Sequence, residues 1–262
     1  MAEAGKLFTD GEAYERQMGR WSRLIGQSFL DWLTLPSGLR CLDVGCGNGA
    51  FTEVLIARCR PASVVGVDPS EGQLAFARQR PGAASAEFRI ADAQTLPFAD
   101  GEFDAALMAL VIYFVPDPAK AAAEMARVVR PGGWAATYMW DIANGGLPLV
   151  PLYRAAKSLG METPGAANPA AAKREAMQDL WQRAGLASVD TKVFRTKIGY
   201  SNFDDFWKSN TTGGPAGRWV AAMVPDAREQ LRDRTREQLS TAADGSIAYE
   251  AFANAVRGRV AG

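Results

Sequence analysis

The chain has 262 residues, 48% hydrophobic and 22% charged, a balance that suits a folded globular protein with one large core. Lys+Arg and Asp+Glu both number 29, so no overall field draws the protein to nucleic acid or to an anionic membrane, and neither is expected as a partner. There is no histidine, which removes Ser-His-Asp and Cys-His catalysis and leaves no expectation of a metal site.

In chain order, residues 1–35 read as helical, with Leu24, Ile25, Phe29, Trp32 and Leu33 at helical spacing and Pro36-Ser37-Gly38 as the stop. The stretch from Tyr14 to Arg23 holds more aromatic and basic groups than a packing helix needs. It reads either as an amphipathic cover over the sheet edge or as a lid over a ligand. Glu3 and Lys6 precede no apolar run of the signal-peptide kind. Cys41, Cys46 and Cys59 are an odd number in a large chain, which suggests a reducing compartment, and a cytoplasmic protein is expected.

From Leu39 to Tyr138 strand and helix patterns alternate, which predicts βαβ units and a parallel sheet. Strands are expected over 41–44, 63–68, 87–90, 103–110 and 134–140. Helices are expected after Gly49, over 71–80, and from Asp117-Pro118 to Arg130, the last stopped by Pro131-Gly132-Gly133. The longest apolar run, 105–115, is too short to span a bilayer. Beyond Asp141 the pattern breaks at Asn144-Gly145-Gly146 and again over 163–169, which is rich in Pro, Gly and Ala. A helix is expected over 173–184, a strand over 187–196, a short helix over 202–210 and a mixed-charge, solvated helix over 226–239. Residues 247–260 fit a last strand or a C-terminal helix equally well.

The chemistry concentrates at the short strand ending in Asp43-Val44 and the Gly45-x-Gly47-x-Gly49 loop that follows it. A strand that turns into a helix through such a loop brings backbone N–H groups close to a ligand, which any side chain at the glycines would hold away. An ordinary glycine-rich turn is the plain alternative. The strand before, the helix after and the aspartate between favour nucleotide or nucleoside binding. Gly45-x-Gly47-x-x-Ala50, with Asp68 about 20 residues on, also fits the loose dinucleotide fingerprint of NAD(P)-dependent oxidoreductases. Asp43 opposes that choice, because a carboxylate before the loop repels a pyrophosphate. A ligand carrying an ammonium and a sulfonium suits it better.

Leu42-Asp43-Val44-Gly45-Cys46-Gly47-Asn48-Gly49, Gly66-Val67-Asp68, Ala91-Asp92-Ala93-Gln94, Leu96-Pro97-Phe98, Phe103-Asp104 and Arg127-Val128-Val129-Arg130-Pro131-Gly132-Gly133 occur in this order. Together they resemble the small-molecule branch of the class I S-adenosylmethionine (SAM) methyltransferases, the group that includes the ubiquinone/menaquinone type. The resemblance implies an α/β, doubly wound and mainly parallel sheet, with an N-terminal helical lid over 1–36 and a SAM-binding core over 37–142. Residues 143–262 would then supply an acceptor-side helical insertion and complete the sheet, all within one domain.

The resemblance also assigns roles. Asp43, Gly45, Cys46, Gly47, Asn48 and Gly49 would line the methionine and ribose parts of SAM. Asp68 would accept from both ribose hydroxyls, with Pro69 and Gln73 beside it. Asp92 would accept from the adenine amino group and the Ala93 N–H would address a ring nitrogen, with Gln94 adjacent. Met108, Ala109 and Leu110 would pass beneath the methionine part, while Asp104 is structural. Tyr14, Met18 and Arg23 would close over the cofactor from the lid. Arg23 or Arg218 could meet an acceptor carboxylate, and Trp21, Trp140, Trp207 and Trp219 lie where relatives build acceptor pockets.

Many relatives carry a histidine shortly after the fourth strand; here Val111-Ile112-Tyr113-Phe114-Val115 stands in its place. Tyr113 is therefore the catalytic candidate, with simple packing against the next helix as the alternative. An Asn-Pro-Pro-Tyr type motif for base amino groups is missing, which lowers the expectation of a nucleic-acid acceptor. The expected reaction is methyl transfer from SAM, giving S-adenosylhomocysteine, to a small molecule. A Rossmann-type oxidoreductase and a non-catalytic SAM-binding module remain as alternatives. Neither the acceptor nor the oligomeric state is legible.

Overall fold

The computed structural model describes residues 20–165 and 168–262. Strands β1 (Arg40–Val44), β2 (Ser63–Asp68), β3 (Ala86–Ile90), β4 (Phe103–Ala109), β5 (Val129–Trp140), β6 (Leu186–Tyr200) and β7 (Ile247–Val260) form one seven-stranded sheet. The described helices are α1 (Arg20–Leu33), α2 (Ala50–Cys59), α3 (Glu71–Ala77), α4 (Pro118–Arg127), α5 (Val150–Ser158), α6 (Arg174–Arg183), α7 (Phe203–Thr211), α8 (Gly214–Ala221) and α9 (Pro225–Glu237). The strand order is β3-β2-β1-β4-β5-β7-β6. The first five strands in that order pair in parallel, and β7 runs antiparallel to both neighbours.

Parallel central strands need cover on both faces, so their sequences are continuous apolar runs. In β4, Ala105, Ala106, Leu107 and Met108 are wholly buried. The outer strand β6 instead alternates, with Lys192, Arg195 and Lys197 exposed, a charged edge that discourages pairing with another chain. The order reverses between β1 and β4, and in such sheets the crevice at the carboxyl ends of the strands flanking the reversal is where a ligand sits.

One expectation needs correction and one open choice is decided. The helix after Asp117 stops at Arg127, and Pro131-Gly132-Gly133 lies inside β5 rather than before it. Phe103 pairs with Val129 and Ala105 with Trp134, so the extra residues bulge out of the ladder, helped by Gly132 at φ 73°. Residues 247–260 are a strand, fixed by a ladder running from Trp134–Arg259 to Trp140–Ala253. Segment 150–158 is a helix, in keeping with the helical pieces expected between the two breaks beyond Asp141, and 214–221 is a further short one.

Helix α1 buries Trp21, Ile25, Phe29 and Leu33, four residues at i, i+4 spacing on one face. Trp21 donates its indole N–H to the Tyr200 hydroxyl at 3.2 Å and meets Trp140 edge-on at 6.3 Å. Phe29 lies 4.7 Å from Tyr138 between ring centroids. From Trp21 onward the segment is core, and Trp21 backs the sheet rather than lining a pocket. Tyr14 and Met18 lie outside the described residues. Among the described residues no helix is long and apolar enough to cross a membrane.

Trp21→Ala should lower stability by about 3–5 kcal/mol, the range for emptying a buried aromatic site, as read by urea denaturation. A loss below about 1 kcal/mol would return the segment to the role of a loose cover.

Candidate active site

The loop after β1 is fixed by the end of β2. The N–H groups of Gly45 and Cys46 both donate to Val67 O, at 2.7 and 2.9 Å, and the Gly47 N–H donates to Asp68 Oδ2 at 3.0 Å. Gly49 N–H is taken by Cys46 O, and Ala50 N–H by the Asn48 side chain at 3.2 Å. These five amides have acceptors inside the protein, so they are not the free N–H groups that a phosphate needs at a helix start.

The glycines have different tasks. A Cβ on Gly45 would lie 2.5 Å from the Val111 side chain, and one on Gly49 would lie 3.1 Å from Ala77. Gly47, at φ 52°, faces open space with nothing within 4 Å. Only at Gly47 does a missing side chain leave room for a ligand. Cys46 turns into a cluster with Leu74, Ala77 and Phe88, and the buried Asn48 side chain caps α2. Both can face a ligand with backbone only. Met108 is likewise wholly buried, its carbonyl accepting from Thr137, while Ala109 is half-buried at the strand end.

Two carboxyls stand at this loop. Asp43 is wholly buried beneath it, so it supports the loop rather than touching a ligand in this conformation. Thr52 Oγ1 donates to its Oδ2 at 2.6 Å, and no donor among the described residues reaches Oδ1. Burial, reinforced by the charge of Asp68 and opposed by Thr52, pushes Asp43 up to about 7. Asp68 is also raised by burial, against the pull of the Ser70 and Gly47 N–H groups. Two raised carboxyls at one loop make a site that a cationic ligand relieves and a pyrophosphate aggravates.

The far end of the cleft is built at β3. Ala91 N–H donates to Asp68 O at 3.3 Å, which sets Asp92 beside the end of β2. Both Asp92 oxygens accept from the Gln94 side-chain amide, at 3.0 and 3.2 Å, and Gln94 Oε1 accepts from Asp117 N–H. Gln94 thus holds Asp92 in place. Pro69 is exposed at the turn and Gln73 is buried on α3. Ile90, 61% exposed at the end of β3 opposite Asp68, stands beside these carboxyls, and the motifs did not mark it. A large apolar side chain left bare at a strand end was the available signal. Arg23 is half-buried on α1 and Arg218 exposed on α8.

A partly open pocket is lined by Leu110, Tyr113, Met139, Trp140, Leu149, Tyr153 and their apolar neighbours. It adjoins the loop through Val111, the residue packed against Gly45. Leu110 holds φ 62°, a left-handed conformation rare for leucine that belongs to sites where strain is retained for function. Tyr113 stands in the wall, as its place after β4 suggested, and its hydroxyl is raised by burial. No acidic or basic side chain lines the pocket among the described residues. Trp207 and Trp219 pack instead around a separate cluster of Leu152, Ala216 and Leu231.

Residues 42–137 match the methyltransferase domain family. Over that segment the chain is similar to methyltransferase domains. Outside that segment the likeness thins. A fatty-acid O-methyltransferase of Mycolicibacterium smegmatis is 41% identical over 97 residues, 37% of this chain and 35% of that protein. A trans-aconitate 2-methyltransferase of Methylobacterium nodulans is 34% identical over 170 residues, 62% of either chain. The chain thus spans about a third of the first of these curated relatives and 62% of the second.

Solved structures share the fold. The YcgJ protein of Bacillus subtilis superposes with TM-score 0.61 at 18% identity, covering 93% of this chain and 99% of that one. A Haemonchus contortus phosphoethanolamine N-methyltransferase 2, solved with S-adenosylhomocysteine, gives TM-score 0.58 at 17% identity, over 95% of this chain and 56% of that one.

Two outcomes follow for the methyltransferase domain. Gly47→Ala should fold, at a strain of about 1–2 kcal/mol, yet lose SAM in calorimetry. Gly45→Ala should instead lower the melting temperature, since its Cβ meets Val111. Equal SAM affinity in Gly47→Ala and the native chain would remove that residue from the cradle. The second outcome concerns pH. The Asp43 pKa is raised in the folded state, so its contribution to stability is complete below the unfolded value near 4 and is lost as pH rises through about 7. A cation bound nearby favours the ionised form, so SAM should bind more tightly as pH rises from 6 to 8, by up to tenfold per unit of pKa depression. Asp43→Asn should flatten that profile; an unchanged slope would uncouple Asp43 from the ligand.

Proposed function

We propose that the protein transfers the methyl group of SAM to a small, largely apolar acceptor by in-line displacement. The observation that carries this reading is the contact of Gly45 with Val111, next in the chain to Leu110, which brings the acidic loop close to a pocket with apolar and no charged side chains among the described residues. An apolar lining of this kind suits a small organic molecule. The matched methyltransferase domain and the two curated relatives, one named for a fatty acid and one for trans-aconitate, support the same class of reaction.

SAM supplies an electrophilic methyl on a positively charged sulfur. The protein's residues bind, orient and shield. Asp68 offers its remaining lone pairs to the ribose hydroxyls, Asp92 is held ready by Gln94 for the adenine amino group, and Ile90 gives the adenine an apolar face. Asp43 and Asp68 supply the negative potential that a cationic donor needs. Residues 143–262 act as the acceptor side, with Leu110 and Tyr113 between donor and acceptor. The same pocket walls keep water out, so the two reactants are held in contact without solvent between them.

Calorimetry and labelled-methyl transfer test the reading together. The native chain should bind SAM and not NAD, and Asp68→Ala should cost about 1.5–3 kcal/mol of SAM affinity, the range for hydrogen bonds to a charged acceptor. Tighter binding of NAD than of SAM would overturn the function.

A further inference from the structure

The acceptor pocket is unusual in what it offers a reacting group. Two tyrosines, Tyr113 and Tyr153, line the same pocket, close enough for Tyr113 to act electrostatically on Tyr153. Both are held in the protonated, donating form by burial. Trp140, 1% exposed, lines the same pocket, and its indole N–H has no acceptor among the described residues. Helices α5 and α8 both begin here, with Leu149 at the cap of one and Pro215 and Ala216 in the first turn of the other. The positive ends of two peptide dipoles therefore meet the pocket. The Trp140 N–H can only donate, the two hydroxyls can donate, and among the described residues no acidic or basic side chain lines the pocket.

A nucleophile in such a place must arrive already deprotonated. A hydroxyl must lose its proton, and an amine enters water at neutral pH mostly as ammonium. A carboxylic acid is ionised from about pH 4–5 upward, and its oxygens accept from neutral donors. We propose, resting on the methyltransferase reading above, that the acceptor is an apolar monocarboxylic acid whose carboxylate is held by the Tyr113 and Tyr153 hydroxyls and is O-methylated to its methyl ester. The carboxylate oxygen forms the new O–CH3 bond as the S–CH3 bond breaks. The electron pair of that bond stays on sulfur. The negative carboxylate and positive sulfonium become a neutral ester and a neutral thioether, and no proton moves. The chain's lack of histidine then costs the reaction nothing.

The test uses the full chain, saturating labelled SAM, and octanoate, octan-1-ol and octylamine as probes. Octanoate should yield methyl octanoate by mass spectrometry, with a rate flat from pH 6 to 9, because the acid is ionised throughout. Tyr113→Phe and Tyr153→Phe should each raise KM for octanoate about tenfold or more while SAM affinity, read by calorimetry, stays at the native value and reports that each variant is folded. Transfer to the alcohol or the amine in preference to octanoate would overturn the inference, as would two tyrosine variants with native KM. So would the failure of octanoate, hexanoate and dodecanoate alike to bind the S-adenosylhomocysteine complex. Loss of SAM binding by the native chain would strike the underlying reading instead.

Discussion

The ligand end of the molecule depends on where β2 stops. Its last two residues, Val67 and Asp68, receive the N–H groups of Gly45, Cys46 and Gly47 in turn. Two of these are ordinary backbone bonds, each worth about 1 kcal/mol net, and the third is charge-assisted and worth about 1.5–3 kcal/mol. The loop is thereby fixed before any ligand arrives, and its donors cannot be offered to an anion. That one arrangement sets the sign of the site. With the amides consumed and two carboxyls raised by burial beside them, a dinucleotide would bring negative charge to a place with nothing to answer it. A sulfonium ligand brings the missing positive charge.

Magnitudes then decide how the rest of the site can work. General acid–base assistance contributes roughly 10²–10⁴-fold, whereas holding two reactants in contact in a shielded site can supply about 7–11 kcal/mol. A methyl on a positive sulfur has a good leaving group built in, so the larger of these contributions is the one it needs. The pocket is arranged accordingly: uncharged walls, a strained Leu110 at the junction and aromatic side chains behind. An acid–base group there would add desolvation cost to a reaction that gains little from it.

The fold was legible where local pattern and tertiary role coincide. Strands β1 to β4 and the glycine loop announce themselves through apolar runs and turn residues, because parallel strands must be apolar on both faces. Pro131-Gly132-Gly133 misled because a Pro-Gly-Gly run ordinarily ends a helix; here the pairing of Phe103 with Val129 draws it into β5 as a bulge. Residues 247–260 stayed ambiguous because only the long ladder with β6 and β5 decides for a strand. Side-chain direction was less legible still. Cys46, Asn48 and Met108 occupy motif positions, yet one packs against Phe88, one caps α2 and one lies in the core. The pocket was legible only in part: Tyr113 and Trp140 were among the expected residues, whereas Tyr153 and Ala216 join them only once the sheet has closed. No motif surrounds Tyr153.

The two sides of that pocket differ in what they can tolerate. Its rear wall is Trp140, which touches Trp21, which in turn reaches Tyr200 and Tyr249. This layer is continuous with the main core, so altering its shape disturbs the sheet and α1 together, and close-packed interiors transmit such changes. The front wall belongs to α5 and α8, whose buried residues form the smaller cluster of Leu149, Leu152, Ala216, Val220 and Leu231. Repacking there reshapes the acceptor space without touching the strand ends that hold the loop. The pocket draws on both parts of the chain: Leu110, Tyr113 and Phe114 lie inside the segment that the methyltransferase domain match covers, and Leu149, Tyr153 and Ala216 outside it. Its shape can therefore vary through α5 and α8 while Gly45 and Val111 keep their contact at the loop.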